Sequence, residues 1–190
     1  GLFRAAVPSG ASTGDFEALE LRDNIPTDYM GKCVLKAVSN GNDILAPAMI
    51  GKEAELECID KIILARDGTK HKSNLGANAI LGFSMAVCRA AAAAMDLPFY
   101  KFIAKKFCTE QISAPDPCMN VINGGSHAGN ALTMQEYMIA HAGAKDFVDA
   151  MKMATETNHH LKSIIQAKYG LDANNVGAEG GLAPPLLDVE

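Results

Sequence analysis

The residues best placed to do chemistry lie in three glycine-rich loops. The first, Val7 to Gly14, reads VPSGASTG and carries the hydroxyls of Ser9, Ser12 and Thr13. The second, Asn120 to Glu136, reads NVINGGSHAGNALTMQE and carries His127 and Glu136. The third, Val176 to Pro185, reads VGAEGGLAPP and carries Glu179 between two pairs of small residues. Paired glycines permit tight turns and close approach of backbone to a ligand. A His or Glu held beside such a turn can transfer a proton or face an anion. Taken singly, each feature also has a plain reading. Ser12 can close a turn on its own backbone, His127 can be a solvent-facing loop residue, and Glu179 can be a surface turn carboxylate. Three such loops in one chain suggest one site assembled from distant sequence. A nucleotide phosphate cradle is disfavoured, because neither GxxxxGK[ST] nor GxGxxG accompanies the glycines.

The elements around the loops follow from periodicity. Leu2 to Val7 and Phe16 to Arg22 alternate as strands on either side of the first loop. Lys32 to Met49 predicts a helix, weakened at Asn40-Gly41-Asn42 and ended or kinked near Pro47. Lys52 to Arg66 places Leu56, Ile59, Ile62 and Ile63 at helical spacing, with Asp67-Gly68 as its stop. Asn78 to Met95 is a strong helix former, and Phe99 to Lys106 a short one. Cys108 to Pro117, with two prolines and no period, reads as a connection between two structural units. Cys118 to Ile122 and Leu132 to Ile139 read as strands flanking the second loop. Leu132, Met134, Glu136 and Met138 then share a face, so the Glu136 carboxylate points where apolar groups point and needs a partner there. Lys145 to Tyr169 is a long helix with Phe147, Met151, Ala154, Leu161 and Ile165 in phase, and Gly170 ends it. The order is that of an α+β unit followed by the start of a second unit.

Composition narrows the class. The 190 residues are 48% hydrophobic, enough for a sizeable core, and carry a net charge of −5. No basic block offers phosphate neutralisation, which argues against nucleic acid as a partner. Five widely spaced cysteines without a CxxC suit free thiols in a reducing compartment, most of them small core residues. No signal peptide is visible at Gly1-Leu2-Phe3-Arg4. The Ala-rich run after Gly76 is interrupted by Arg89 and reads as a buried helix rather than a membrane span. A cytoplasmic, soluble protein is the expectation.

The loops and several longer segments resemble the enolases. GLFRAAVPSGASTG followed by EALELRD, then GANAILGFSMAVCRA, LPFYKFIA, PCMNVINGGSHAGN, MQEYMI, HHLKSII and KYGLDANNVGAEGGLAPP stand in enolase order across essentially the whole chain. The resemblance implies an N-terminal-like α+β domain over 1–109, lacking its first strand. Over 110–190 it implies the beginning of the C-terminal α/β, TIM-like barrel, left incomplete and with open strand edges. It further implies a Mg²⁺-dependent lyase of glycolysis that dehydrates 2-phosphoglycerate to phosphoenolpyruvate, usually as a homodimer. Carried over residue by residue, Glu179 is the carboxylate that helps the 3-hydroxyl leave, and Glu136 is the second catalytic carboxylate and a substrate contact. His127 reaches the substrate phosphate, and Ser12 supplies oxygen to a second Mg²⁺, an ion that favours oxygen ligands. His141, His159 and His160 match no functional position, and the last two read as helix-surface residues.

The sequence departs from the family pattern at Ala178-Glu179-Gly180-Gly181-Leu182, where enolases usually carry Asp before the Glu and Phe after the glycines. Ala140-His141-Ala142 and Asn158 also differ from the usual Pro and aromatic. In enolases the base lysine and the carboxylates of the principal metal come from barrel segments beyond those matched here. The 190 residues alone are therefore expected to be inactive. The competing expectation is a non-catalytic, truncated relative that acts as a binding or structural protein.

Overall fold

The computed structural model describes residues 1–10, 14–177 and 179–187, so Ser12 and Ala178 lie outside the described residues. The chain divides into two units, Gly1–Gln111 and Ile112–Glu190.

The first unit is a helical assembly. Its helices are α1 (Leu35–Ser39), α2 (Ala46–Met49), α3 (Leu56–Asp67), α4 (Ala77–Ala94) and α5 (Phe99–Lys106). A π-helical turn, Asn40–Leu45, joins α1 to α2. Pro47 stands at the second position of α2, where its missing N–H would break an ordinary ladder. The wider turn just before it lets the helix continue to Met49. α3 begins on Glu55, whose carboxylate accepts from the amides of Glu57 and Cys58, and ends at Gly68 with φ +67°. Lys106 near the end of α5 reaches Glu55 Oε1 at 2.8 Å and Glu57 Oε1 at 3.1 Å. The hydrogen bond from Lys106 and the capped amides hold the Glu55 carboxyl below its usual range. The same two carboxylates raise Lys106.

Leu45, Ile59, Ile63, Leu75 and Ile80 form the main core, with Phe83 and Val87 packed against it. A second cluster joins Cys88, Ala91 and Ala92 of α4 to Phe102 of α5. Each buried Leu or Ile contributes roughly 1.5–3 kcal/mol. α4 is long and apolar enough to cross a membrane by length and composition. Here it supplies residues to both cores instead.

Two expectations fail in this unit. Leu2 to Val7 and Phe16 to Arg22 form no strands. Their hydrogen-bonding capacity goes elsewhere. Leu19 donates to the His71 carbonyl at 2.8 Å and accepts from the Ala77 amide at 2.7 Å. The Leu21 amide donates to Asn78 Oδ1 at 3.1 Å, and Asp23 donates to the Cys33 carbonyl at 2.8 Å. An alternating segment becomes a strand only when a partner strand takes its N–H and C=O groups. The cysteines are free, as the spacing suggests, but they are not mainly core residues. Only Cys88 is buried, and Cys58, Cys108 and Cys118 are exposed. Burial, then the charge of Asp60, pushes the Cys88 thiol up against a smaller opposing effect of Lys106.

The second unit contains β1 (Cys118–Asn123), β2 (Glu136–Ala140) and α6 (Phe147–Tyr169). The strands pair antiparallel, from Cys118 opposite Ala140 to Asn123 opposite Glu136. The register slips between Asn120 and Ile122, so Val121 is the extra residue of a bulge. Leu182 of the third glycine loop bridges β1 on its other side. It donates to the Val121 carbonyl at 2.9 Å and accepts from the Asn123 amide at 2.8 Å. α6 starts on Asp146, which caps the Asp149 amide at 2.8 Å. It buries Ala150, Ala154 and Ile165, whereas Phe147 and Met151 are substantially exposed. Ile165, Ala173 and Leu182 make the local core, with Leu161 packed on it. No closed barrel is formed among the described residues.

The predicted strand at Leu132 to Ile139 is shorter than its alternation implies. Leu132 to Gln135 fold back over the double glycine instead, because the Gly124 and Gly125 amides donate to the carbonyls of Gln135 (2.9 Å) and Leu132 (2.8 Å). Leu132 is buried, but Met134 and Met138 are each 58% exposed. The apolar face expected around Glu136 is therefore not a buried one.

Candidate acid–base site

β1 leads directly into the loop that carries His127. Gly124 is extended and has no room for a side chain. A Cβ there would lie 2.7 Å from Leu132 Cβ and within the radius of the Met134 carbonyl oxygen. Gly125 has φ +58°, the left-handed region in which glycine carries no steric cost. These two residues turn the chain into a 3₁₀ turn, Gly125–His127, and set the imidazole over the third loop.

The third loop closes on itself through Gly177 N to Gly181 O at 2.9 Å and Gly180 N to Gly177 O at 3.0 Å. Glu179 sits at its tip. His127 Nδ1 lies 2.7 Å from Glu179 Oε1, with the imidazole side chain 9% exposed and the carboxylate side chain 27% exposed. At that distance Nδ1 carries the proton and donates to the carboxylate. Gln135 presents its amide 3.3 Å from the same nitrogen. That end of the amide is Nε2, a donor, so with the Nδ1 proton committed to Glu179 it makes a hydrogen bond there only if the amide is turned to present its oxygen. The imidazole is thus oriented by a carboxylate through one nitrogen. Its Nε2 is left to accept a proton when the ring is neutral or to face an anion when it is charged.

The predicted residues are not treated alike by the fold. His127 and Glu179, 52 positions apart in sequence, are brought into contact. Glu136 begins β2 opposite Asn123 and is half-buried. It makes no side-chain hydrogen bond or ion pair among the described residues. His159 and His160 lie exposed on α6, as their positions suggest. His141 is half-buried, and its Nδ1 has no protein partner.

Sequence reasoning missed the asparagines beneath the pair. Asn123 is fully buried, and its side-chain oxygen accepts from Asn120 Nδ2. Asn130 Nδ2 donates to the carbonyls of Asn123 and Pro184, both at 3.0 Å, and so ties the second loop to the third. The available signal was the NVIN spacing just before the glycines, combined with glycines on both sides of Glu179.

Two further observations bound the site. A cavity of about 680 Å³ lies in the first unit beside Phe3, Arg22, Ala37, Gly82 and Phe83, and none of the candidate residues lines it. Among the described residues, no group of three or more His, Cys, Asp or Glu side chains could hold a metal ion. His127, Glu136 and Glu179 do not by themselves constitute a Mg²⁺ site.

A helical first unit, then a second unit in which two paired strands and a long helix carry an imidazole–carboxylate pair, defines a two-unit α/β protein with an acid–base site. Residues 1–103 match the family model for the enolase N-terminal domain, and residues 111–190 match that for the enolase C-terminal TIM barrel domain. The chain is 58% identical over 187 residues to an enolase of Mastigamoeba balamuthi, which covers 98% of this chain and 43% of that relative. The chain belongs to the enolase family, and it spans less than half the length of this curated relative.

Proposed function

We propose that this chain is the N-terminal domain and early barrel of a cytoplasmic, homodimeric phosphopyruvate hydratase. The enzyme dehydrates 2-phosphoglycerate to phosphoenolpyruvate in glycolysis and depends on Mg²⁺. The observation that carries the reading is the 2.7 Å contact between His127 and Glu179 in a chain of this family. The domain boundary near residue 109 belongs to the same proposal.

In this reading Glu179, protonated on the oxygen that does not face His127, delivers that proton to the departing 3-hydroxyl and is left as the carboxylate. His127 is oriented by that carboxylate and turns its second nitrogen to the substrate's phosphate and reacting region. Glu136, at the head of β2, is the second carboxylate of the site. Ser12 contributes oxygen to a second metal ion. The proton-abstracting base and the principal metal ligands are supplied by sequence outside the 190 residues, so these residues by themselves do not turn over.

The test follows phosphoenolpyruvate by ultraviolet absorbance, with and without Mg²⁺. The 190-residue chain gives no product in either case, and a longer natural form containing it is active only with Mg²⁺. In that longer form, Glu179→Gln lowers kcat by about 100-fold or more, the usual contribution of a positioned acid or base. A longer form that binds neither substrate nor Mg²⁺ would overturn the proposal. It would leave a non-catalytic relative with a binding or structural role.

A further inference from the structure

Two residues of the pair come from different loops, and one residue touches both. Asn123 is 0% exposed and ends β1. Its carboxamide occupies the mouth of the turn whose tip carries Glu179. A Cβ on Gly177 would overlap Asn123 Nδ2, and a Cβ on Gly181 would overlap Asn123 Oδ1. The turn is thus folded around the amide head with backbone on both sides. Only glycine at 177 and 181 leaves the space.

The main chain of Asn123 holds the same parts. Its N–H donates to Leu182 O at 2.8 Å, directly after the Glu179 turn. Its carbonyl accepts from Asn130 Nδ2 at 3.0 Å, on the far side of the His127 loop. Gly177 also approaches the other loop, since its Cβ would meet the His127 carbonyl oxygen at 3.1 Å.

Asn120 supplies the side-chain hydrogen bond to this amide. Residues 120 and 123 would point to opposite faces of a regular strand. The bulge at Val121 removes that parity, so Asn120 Nδ2 reaches Asn123 Oδ1. Among the described residues, Asn123 Nδ2 is left without a hydrogen-bond partner, as is Asn120 Oδ1. Turning both amides together would exchange one orphaned donor and acceptor for another. The pair is thus held at this place by shape rather than by complete bonding.

We propose that Asn123 is a positioning residue that sets the contact between His127 and Glu179, with Asn120 hydrogen-bonded to its amide. The catalytic meaning of this inference rests on the acid–base reading above. Its geometry does not.

The test reads the ring tautomer of His127 by two-bond ¹H–¹⁵N correlation in the 190-residue chain, at a pH where the imidazole is neutral. The unaltered chain shows the Nδ1–H pattern. Glu179→Gln and Asn123→Ala each lose it in favour of the Nε2–H pattern, and the double variant moves no further than either alone. In Asn123→Ala the β1–β2 amide signals persist, which separates positioning from loss of fold. Asn120→Ala gives the same direction with a smaller change. Should both asparagine variants lose the sheet, the Asn123 side-chain amide of the unaltered chain decides. Two slowly exchanging protons in contact with Gly177 Hα support the proposal, and rapid averaging overturns it. Retention of Nδ1–H in Asn123→Ala, or its absence from the unaltered chain, also overturns it. A failed dehydration assay with these results intact would refute the proposed activity and leave the positioning role standing.

Discussion

Glycines decide the site at the scale of single residues. Gly124 and Gly129 lie five positions apart in one loop, yet a methyl group would meet very different surroundings. At Gly124 it would collide with the Met134 carbonyl and Leu132, and at Gly129 nothing lies within 4 Å. Gly124→Ala should cost about 1–3 kcal/mol, the usual penalty of overpacking. Gly129→Ala should stay within roughly 0.5 kcal/mol of the unaltered chain. Urea unfolding followed on β1–β2 signals checks both. The three glycine loops, and with them His127 and Glu179, were legible as sequence because glycine's conformational freedom is written in its identity. The part played by Asn123 was not. Its burial depends on a bulge at Val121, and nothing in a short alternating run announces an extra residue. The buried apolar face expected around Glu136 failed for a related reason, since Met134 belongs to a fold-back over the double glycine rather than to a strand.

The clearest case of an element depending on one buried group is the passage from α3 to α4. Asp67 is 2% exposed. One carboxylate oxygen accepts from the Thr69 amide at 2.9 Å and from the Thr69 hydroxyl. The other accepts from the amides of Asn74 (3.1 Å) and Leu75 (2.8 Å). Burial by itself would raise this carboxyl. The bonds from Thr69, Leu75 and Asn74 outweigh it and hold the group below the ordinary value of 3.8. A depressed carboxyl stabilises the fold at pH values above its unfolded value, and that stabilisation disappears as pH falls through the folded value. Urea midpoints measured from pH 7 to pH 2 should therefore drop steeply below about pH 4. Asp67→Asn should flatten that limb and cost about 2–3 kcal/mol at pH 7, by leaving amides without a charged acceptor. Helices were the readable elements, because period and caps are local. α5 runs from Phe99 to Lys106, the span its sequence suggests, and α3 and α6 differ only at their ends. The segments at Leu2 and Phe16 misled because strand formation depends on a partner that alternation alone does not reveal.

The whole chain is two units joined by an exposed connector. Phe107 and Ile112 are exposed, and 108–117 contains no helix or strand. Proteases cut exposed, unpaired backbone first. Brief digestion with chymotrypsin or a Glu-specific protease should cleave at Phe107 or Glu110 before any site inside α3, α4 or α6, giving two bands by mass spectrometry. First cuts within α4 would contradict this organisation. The prolines and lack of period at Cys108 to Pro117 made that connector readable in advance, whereas the pairing of His127 with Glu179 needed the folded loops. Within the first unit α4 serves two cores, Ile80 with Leu45 at one end and Cys88, Ala91 and Ala92 with Phe102 at the other. A helix so placed is covered in two stages, and loosening one cluster hands water only the apolar residues at that end. A newly made chain therefore keeps one end of α4 open to association until its second cluster has formed.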